Sequence, residues 1–222
     1  MNETRIGPTA WVTGNAQVTG NAKVYDSARV TGNAKVYGGA LVSDDALVYG
    51  NAQVYGNAKV YGNAQVYGNA QVSDDARVTG NAKVYDNAQV YGGALVYGDA
   101  KVYGGSWVSG NAVIQGDGDL ASDRHYLTVG PIGSESRTVT IHRHYDGPES
   151  TKWGNLIRAG CWLGTIDELD TRIHSSSDHG WDEDAGRWVA DYEAFIEMAR
   201  IRVAEWEAEP LTSDDHARWD HV

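Results

Sequence analysis

Residues 52–69 read AQVYGNAKVYGNAQVYGN, three successive copies of Ala-x-Val-Tyr-Gly-Asn. Working outward, valine or isoleucine stands at every sixth position from Val12 to Ile114, and alanine two positions before each of them, from Ala10 to Ala112, with Ser106 the one substitution. Nothing is inserted or deleted within that run. A short, fixed period predicts a solenoid, in which each repeat buries its apolar side chains by stacking on its neighbours.

Alternation along an extended segment sends Ala52 and Val54 to one face and Gln53 and Tyr55 to the other. The small and branched apolar residues belong inside. The x position, mostly Gln, Lys or Arg, and the Tyr, Thr or Ser after valine belong outside. Gly-Asn and its variants Asp44-Asp45, Asp74-Asp75, Gly92-Gly93 and Gly98-Asp99 supply the corners, because these residues tolerate a positive φ. Each hexapeptide is then one short strand and one bend.

This pattern resembles the hexapeptide-repeat proteins that form left-handed parallel β-helices, and the resemblance covers residues 10–115. It implies that three hexapeptides close one triangular coil, giving about six coils and a prism ~30 Å long at the ordinary strand spacing. A right-handed β-helix is the competing geometry, and the strict six-residue spacing argues against it. The enzymes of the resembling family are best known as acyltransferases, with a catalytic histidine and a loop that breaks out of a coil; its carbonic anhydrases bind zinc through histidines on the coils. Here the first histidine is His125, beyond the repeats, and the run holds no insertion. A rod without a catalytic or metal site, and with no cofactor, is the expectation. An acyltransferase-like enzyme stays as an alternative.

With three hexapeptides per coil, residues eighteen apart stack. Tyr49, Tyr67, Tyr85 and Tyr103 therefore form one outward row, flanked by Leu47, Gln65, Lys83 and Lys101. Such a row shields the strands or presents a surface for self-association, sugars or bases. The resemblance implies a homo-oligomer, a trimer first. Open coil ends carry unpaired strand edges, so Met1–Thr9 and the segment after Ile114 are expected to act as caps.

Composition changes near Gly116, which divides the chain into a repeat domain, 1–116, and a second module, 117–222. Six of eight tryptophans, every histidine and the single cysteine follow that point. Of 30 acids and 18 bases, eight of each lie before it, so the second module carries the whole formal charge of −12. That balance argues against nucleic-acid or anionic-membrane partners, which need excess Lys and Arg. One cysteine gives no disulfide framework, the first dozen residues show no basic-plus-apolar leader, and no apolar run reaches the ~20 residues of a membrane span. The expectation is a soluble, cytoplasmic protein.

In the second module, β-branched and alternating stretches predict strands over Tyr126–Val129, Thr138–Tyr145 and Leu156–Trp162. Thr165-Ile-Asp-Glu168 reads as a capping box opening a short helix towards Ile173. A polar loop, Ser175–Gly180, and the acids Asp182, Glu183 and Asp184 precede a long helix from Ala185 to Glu207. Its apolar stripe runs Trp188, Tyr192, Phe195, Ile196, Ala199, Val203 and Trp206. The segments Leu127-Thr-Val-Gly-Pro-Ile-Gly-Ser134 and Arg158-Ala-Gly-Cys-Trp-Leu-Gly-Thr-Ile-Asp-Glu-Leu169, with the Tyr192 helix, resemble a small α+β module of phage and prophage proteins of unknown function. The resemblance implies a host or virion partner.

Candidate binding residues here are His142 and His144, which share a strand face and suit a metal or an anion, together with Arg158 and Trp162. A third metal ligand is not evident. Cys161 is either a nucleophile or, more commonly for the residue type, a buried structural thiol. Trp153, Trp162 and Trp181 line a pocket or form the core. Three function classes follow: a non-catalytic scaffold presenting an acidic recognition domain, a binding protein that sequesters a small ligand, and an enzyme.

Overall fold

The computed structural model describes residues 4–132, 137–145, 153–175 and 185–209. The chain divides into two compact units, Met1–Asp123 and Arg124–Val222.

The first unit is a parallel β-solenoid of about six coils. Twenty two-residue strands, β1 (Arg5–Ile6) to β20 (Asp119–Leu120), follow one another at six-residue steps. Every third strand pairs, giving three parallel sheets of seven, seven and six strands. The register is eighteen residues throughout, as in Gln65↔Lys83 and Val60↔Val78. The inward assignment holds: Ala22 to Ala112 and Val24 to Ile114 are closed to solvent along the coils. Ser106, which stands at an alanine position, is equally buried and donates its hydroxyl to the Tyr103 carbonyl at 2.7 Å, so the polar substitution leaves no orphaned group.

The corner pair divides its labour. Its first residue alone takes the left-handed conformation, glycine at most corners and aspartate at Asp26, Asp44, Asp74 and Asp86, with φ of 55 to 60°. At Gly56 a Cβ would lie 2.8 Å from the Asp74 nitrogen of the next coil, so crowding as well as φ selects glycine there. The second residue, asparagine, is not there for its φ. Its amide donates to the carbonyl of its counterpart one coil on, in a chain from Asn15 through Asn33, Asn51 and Asn69 to Asn87 at 3.1 to 3.2 Å.

Ile6 and Leu120 continue the six-residue register at either end as strand residues. At the first coil Val12 and Val18 are half-buried, and Ile6 and Trp11 are 51% and 62% exposed.

The second unit is an antiparallel sheet of four strands, β21 (Tyr126–Ile132), β22 (Arg137–His144), β23 (Gly154–Ala159) and β24 (Trp162–Gly164), in sequential order, with helices α1 (Ile166–His174) and α2 (Ala185–Ala208). Three strands were expected, because the apolar run Leu156–Trp162 reads as one. It is a hairpin: Ala159 pairs with Trp162, and Gly160, at φ 60°, is the first of two turn residues, the position where a type II′ turn requires glycine. The capping box is complete, since Thr165 Oγ1 accepts from the Glu168 nitrogen and Glu168 accepts from the Thr165 nitrogen. The stripe of α2 packs as its spacing predicts, with Phe195, Ile196, Ala199 and Trp206 against Val139, Ile141 and Ile157 of the sheet. Trp181, the acids 182–184 and most of the preceding polar loop lie outside the described residues. No helix among the described residues is long and apolar enough to cross a membrane.

Candidate functional site

Along one solenoid edge the expected tyrosine row is present. Tyr49, Tyr67, Tyr85 and Tyr103 stack ring on ring at 4.8, 4.9 and 5.0 Å, within 7° of parallel. The eighteen-residue register dictates this, since the ring spacing is that of neighbouring strands. Burial by its neighbours pushes the Tyr67 phenol up to about 12, with the Tyr49 ring and the Asp86 carboxylate adding in the same direction. The row ends in a polar cluster: Tyr103, only 4% exposed, donates its hydroxyl to Asp119 at 2.7 Å. Lys101 is buried in register with Asp119.

A second row, not singled out from the sequence, lies on another edge. Tyr37 and Tyr55 stack at 5.0 Å and 2°, and each donates its hydroxyl to the glutamine sixteen residues ahead, Gln53 and Gln71, at 3.4 Å. Ser73 then takes a tyrosine's place, followed by Tyr91, and an open cavity of about 270 Å³ lies there, lined by Tyr55, Gln71, Ser73, Asp74, Gln89 and Tyr91. The signal was in the sequence, as a serine at one rung of a row of residues eighteen apart.

In the second unit, the antiparallel register places His142 and His144 on the same sheet face as Arg158, which pairs with Thr140. Trp162 is on the opposite face, packed against the core, so these four do not form one site. His142 is closed to solvent. Its Nδ1–H donates to the Arg143 carbonyl at 3.0 Å, and burial holds the imidazole down at about 4, so it is neutral at ordinary pH. Among the described residues no group of three His, Cys, Asp or Glu is placed to hold a metal ion. Cys161 is exposed in the β23–β24 turn, contrary to a buried structural thiol, because the hairpin puts it at the tip.

The residue between the two histidines is the better connected one. Arg143 is 3% exposed, lies 3.7 Å over the Trp153 ring and has Nη1 3.1 Å from Glu209 Oε2. The same carboxylate oxygen is 3.3 Å from His125 Nε2. A buried guanidinium needs a partner for its charge, here a carboxylate, and gains further from the aromatic face beneath it. The cluster ties β22 to the end of α2. Trp153, one of the pocket candidates, is thereby a core residue, 2% exposed and in edge contact with Tyr145.

A family model described as the YdcK beta solenoid repeat matches residues 40–56, 52–68 and 70–86, all within the coils. No curated protein matches the chain. Among solved structures, a point mutant of perosamine N-acetyltransferase from Caulobacter crescentus, in complex with CoA and GDP-perosamine, is similar at 13% identity and a TM-score of 0.40, over 52% of this chain and 53% of that one. The alignment thus spans about half of that protein's length.

Proposed function

We propose that the chain is a non-catalytic scaffold: a rigid solenoid that carries an acidic recognition module to a protein partner. The observation that carries this reading is how the outward side chains of the coils are used. Asparagines bond to asparagines at the corners and tyrosines stack on tyrosines along an edge, so these rows are engaged in holding successive coils in register. The formal charge of −12 lies entirely in the sequence after Gly116, where the expected partner-binding surface also lies. The resemblance of that module to phage and prophage proteins makes a host or virion component the partner to try first. A homotrimer, as in related hexapeptide proteins, is the assembly expected in solution, and light scattering reads it directly.

The test is affinity capture with the intact chain, beside a quadruple variant with alanine at His142, His144, Arg158 and Cys161. A scaffold retains its partner in both forms. Turnover of any substrate by the parent protein, lost in the variant while capture is unchanged, would overturn the proposal.

A further inference from the structure

We infer that the gap at Ser73 is a binding slot for one neutral phenolic ring. Residues 37, 55, 73 and 91 occupy successive rungs of one edge, and in the intact part of that row the rings lie 5.0 Å apart. Replacement of one rung by serine leaves Tyr55 and Tyr91 two steps apart, ~10 Å at the strand spacing, which is the room one ring needs to stack on both. The cavity is there, bounded by those two rings, with Ser73 at its floor. Ser73 is 7% exposed, and among the described residues its hydroxyl has no hydrogen-bond partner.

The neighbouring rungs specify the ligand's polar group. Tyr37 donates to Gln53 and Tyr55 to Gln71, sixteen residues ahead in each case. The same step from position 73 leads to Gln89, which lines the cavity, and whose side chain has no hydrogen-bond partner among the described residues. A ring seated on the empty rung with a para-like hydroxyl therefore finds the acceptor that a tyrosine would have used. Asp74 at the rim, one oxygen of which accepts from the Gly92 nitrogen at 3.1 Å, disfavours an anionic ring. On the third edge, Ser43 and Thr79 also interrupt a tyrosine row, but both are half-buried. This inference concerns the solenoid alone and stands whether or not the scaffold reading does.

The shared chemistry, a phenol, comes either from a free small molecule or from a tyrosine side chain of a partner. The test is fluorine NMR on the full chain with 4-fluorophenol as probe, beside fluorobenzene and 4-fluorobenzoate. Expected are line broadening for 4-fluorophenol and weaker binding of the other two. Ser73→Tyr, which completes the row, should weaken the phenol by about tenfold or more and raise the melting temperature. Gln89→Leu, at an outward position, should weaken it about fivefold while leaving fluorobenzene unchanged. Competition by a short blocked tyrosine peptide assigns the slot to a protein-borne ring, and its failure to compete assigns it to a free phenol. Equal binding by wild type and Ser73→Tyr, no preference for phenol over fluorobenzene, or no binding of the phenol would overturn the inference.

Discussion

His142 and Arg143 are joined by more than sequence: the His142 Nδ1 lies 3.0 Å from the Arg143 carbonyl oxygen, within a ring closed to solvent. Burial lowers this imidazole from 6.5 to about 4, the carbonyl contact opposes the shift, and nearby His144 reinforces it. The unfolded chain therefore binds a proton that the folded one refuses. Stability is fully present above 6.5 and falls as pH drops from there towards 4, by on the order of 3 kcal/mol. Urea unfolding followed by tryptophan fluorescence, repeated between pH 7 and 4, should show this loss. A His142→Gln variant should flatten the dependence. An unchanged slope in that variant would place the proton uptake elsewhere.

The solenoid was legible because every sixth residue had to be valine or isoleucine to fill a closed coil. At both ends the smaller partner of the pair changes: Thr4 and Gly118 stand where alanine stands elsewhere, so the two-residue pattern does not reach Ile6 and Leu120 although the strands do. In the second unit, helix positions followed from local rules, the Thr165 cap and the three-and-four spacing of α2. The Leu156–Trp162 hairpin did not, since its turn is declared only by the φ of Gly160. The site was harder still. Two histidines at alternate positions drew attention to their own face, whereas Arg143 gains its importance from Trp153 and Glu209, far apart in sequence. Ser73 was visible as a missing rung, but its meaning rests on ring geometry.

Thr165 supplies both an acceptor for the Glu168 nitrogen and a backbone nitrogen bonded to the Glu168 carboxylate. Thr165→Ala removes the first half of that box and should cost about 1 kcal/mol, with loss of helix signal confined to α1. Amide exchange would show faster opening over Ile166–Leu169. Thr165→Ser, which keeps the oxygen, should restore protection. Faster exchange in both variants would show that the hydroxyl is not what matters.

Val54 sits inside the solenoid at 0% exposure, with Val36 and Val72 above and below it in the same sheet. Val54→Asp puts a carboxylate where no counter-charge is available among those neighbours, at a cost of several kcal/mol. Stacked repeats share their interfaces, so the damage should spread over adjacent coils rather than stay local. Circular dichroism should show a large loss of strand signal, or a melt displaced by well over 10 °C. Gln53→Asp, one residue away and outward-facing, is the control. A near-native melt for Val54→Asp would refute the inward assignment.

Tyr67 has a ring on each side, Tyr49 at 4.8 Å and Tyr85 at 4.9 Å. Tyr67→Ala removes both contacts and should cost about 1 to 3 kcal/mol, taking each stacked pair at its usual worth. Tyr67→Phe keeps the stack and should melt close to the parent. The two differ from the parent in a second way, because burial raises the Tyr67 phenol from 10.0 to about 12. An acid whose folded value is raised contributes stability below its unfolded value of 10 and loses that contribution as pH climbs from 10 to 12. Burial also raises the phenols of Tyr37 and Tyr49, so alkaline titration followed by phenolate absorbance should show one fewer late-ionising tyrosine in the Phe variant than in the parent, and the Phe variant should resist alkaline unfolding better over that window. If Phe and Ala destabilise equally at neutral pH, the hydroxyl rather than the stacked ring holds the row together.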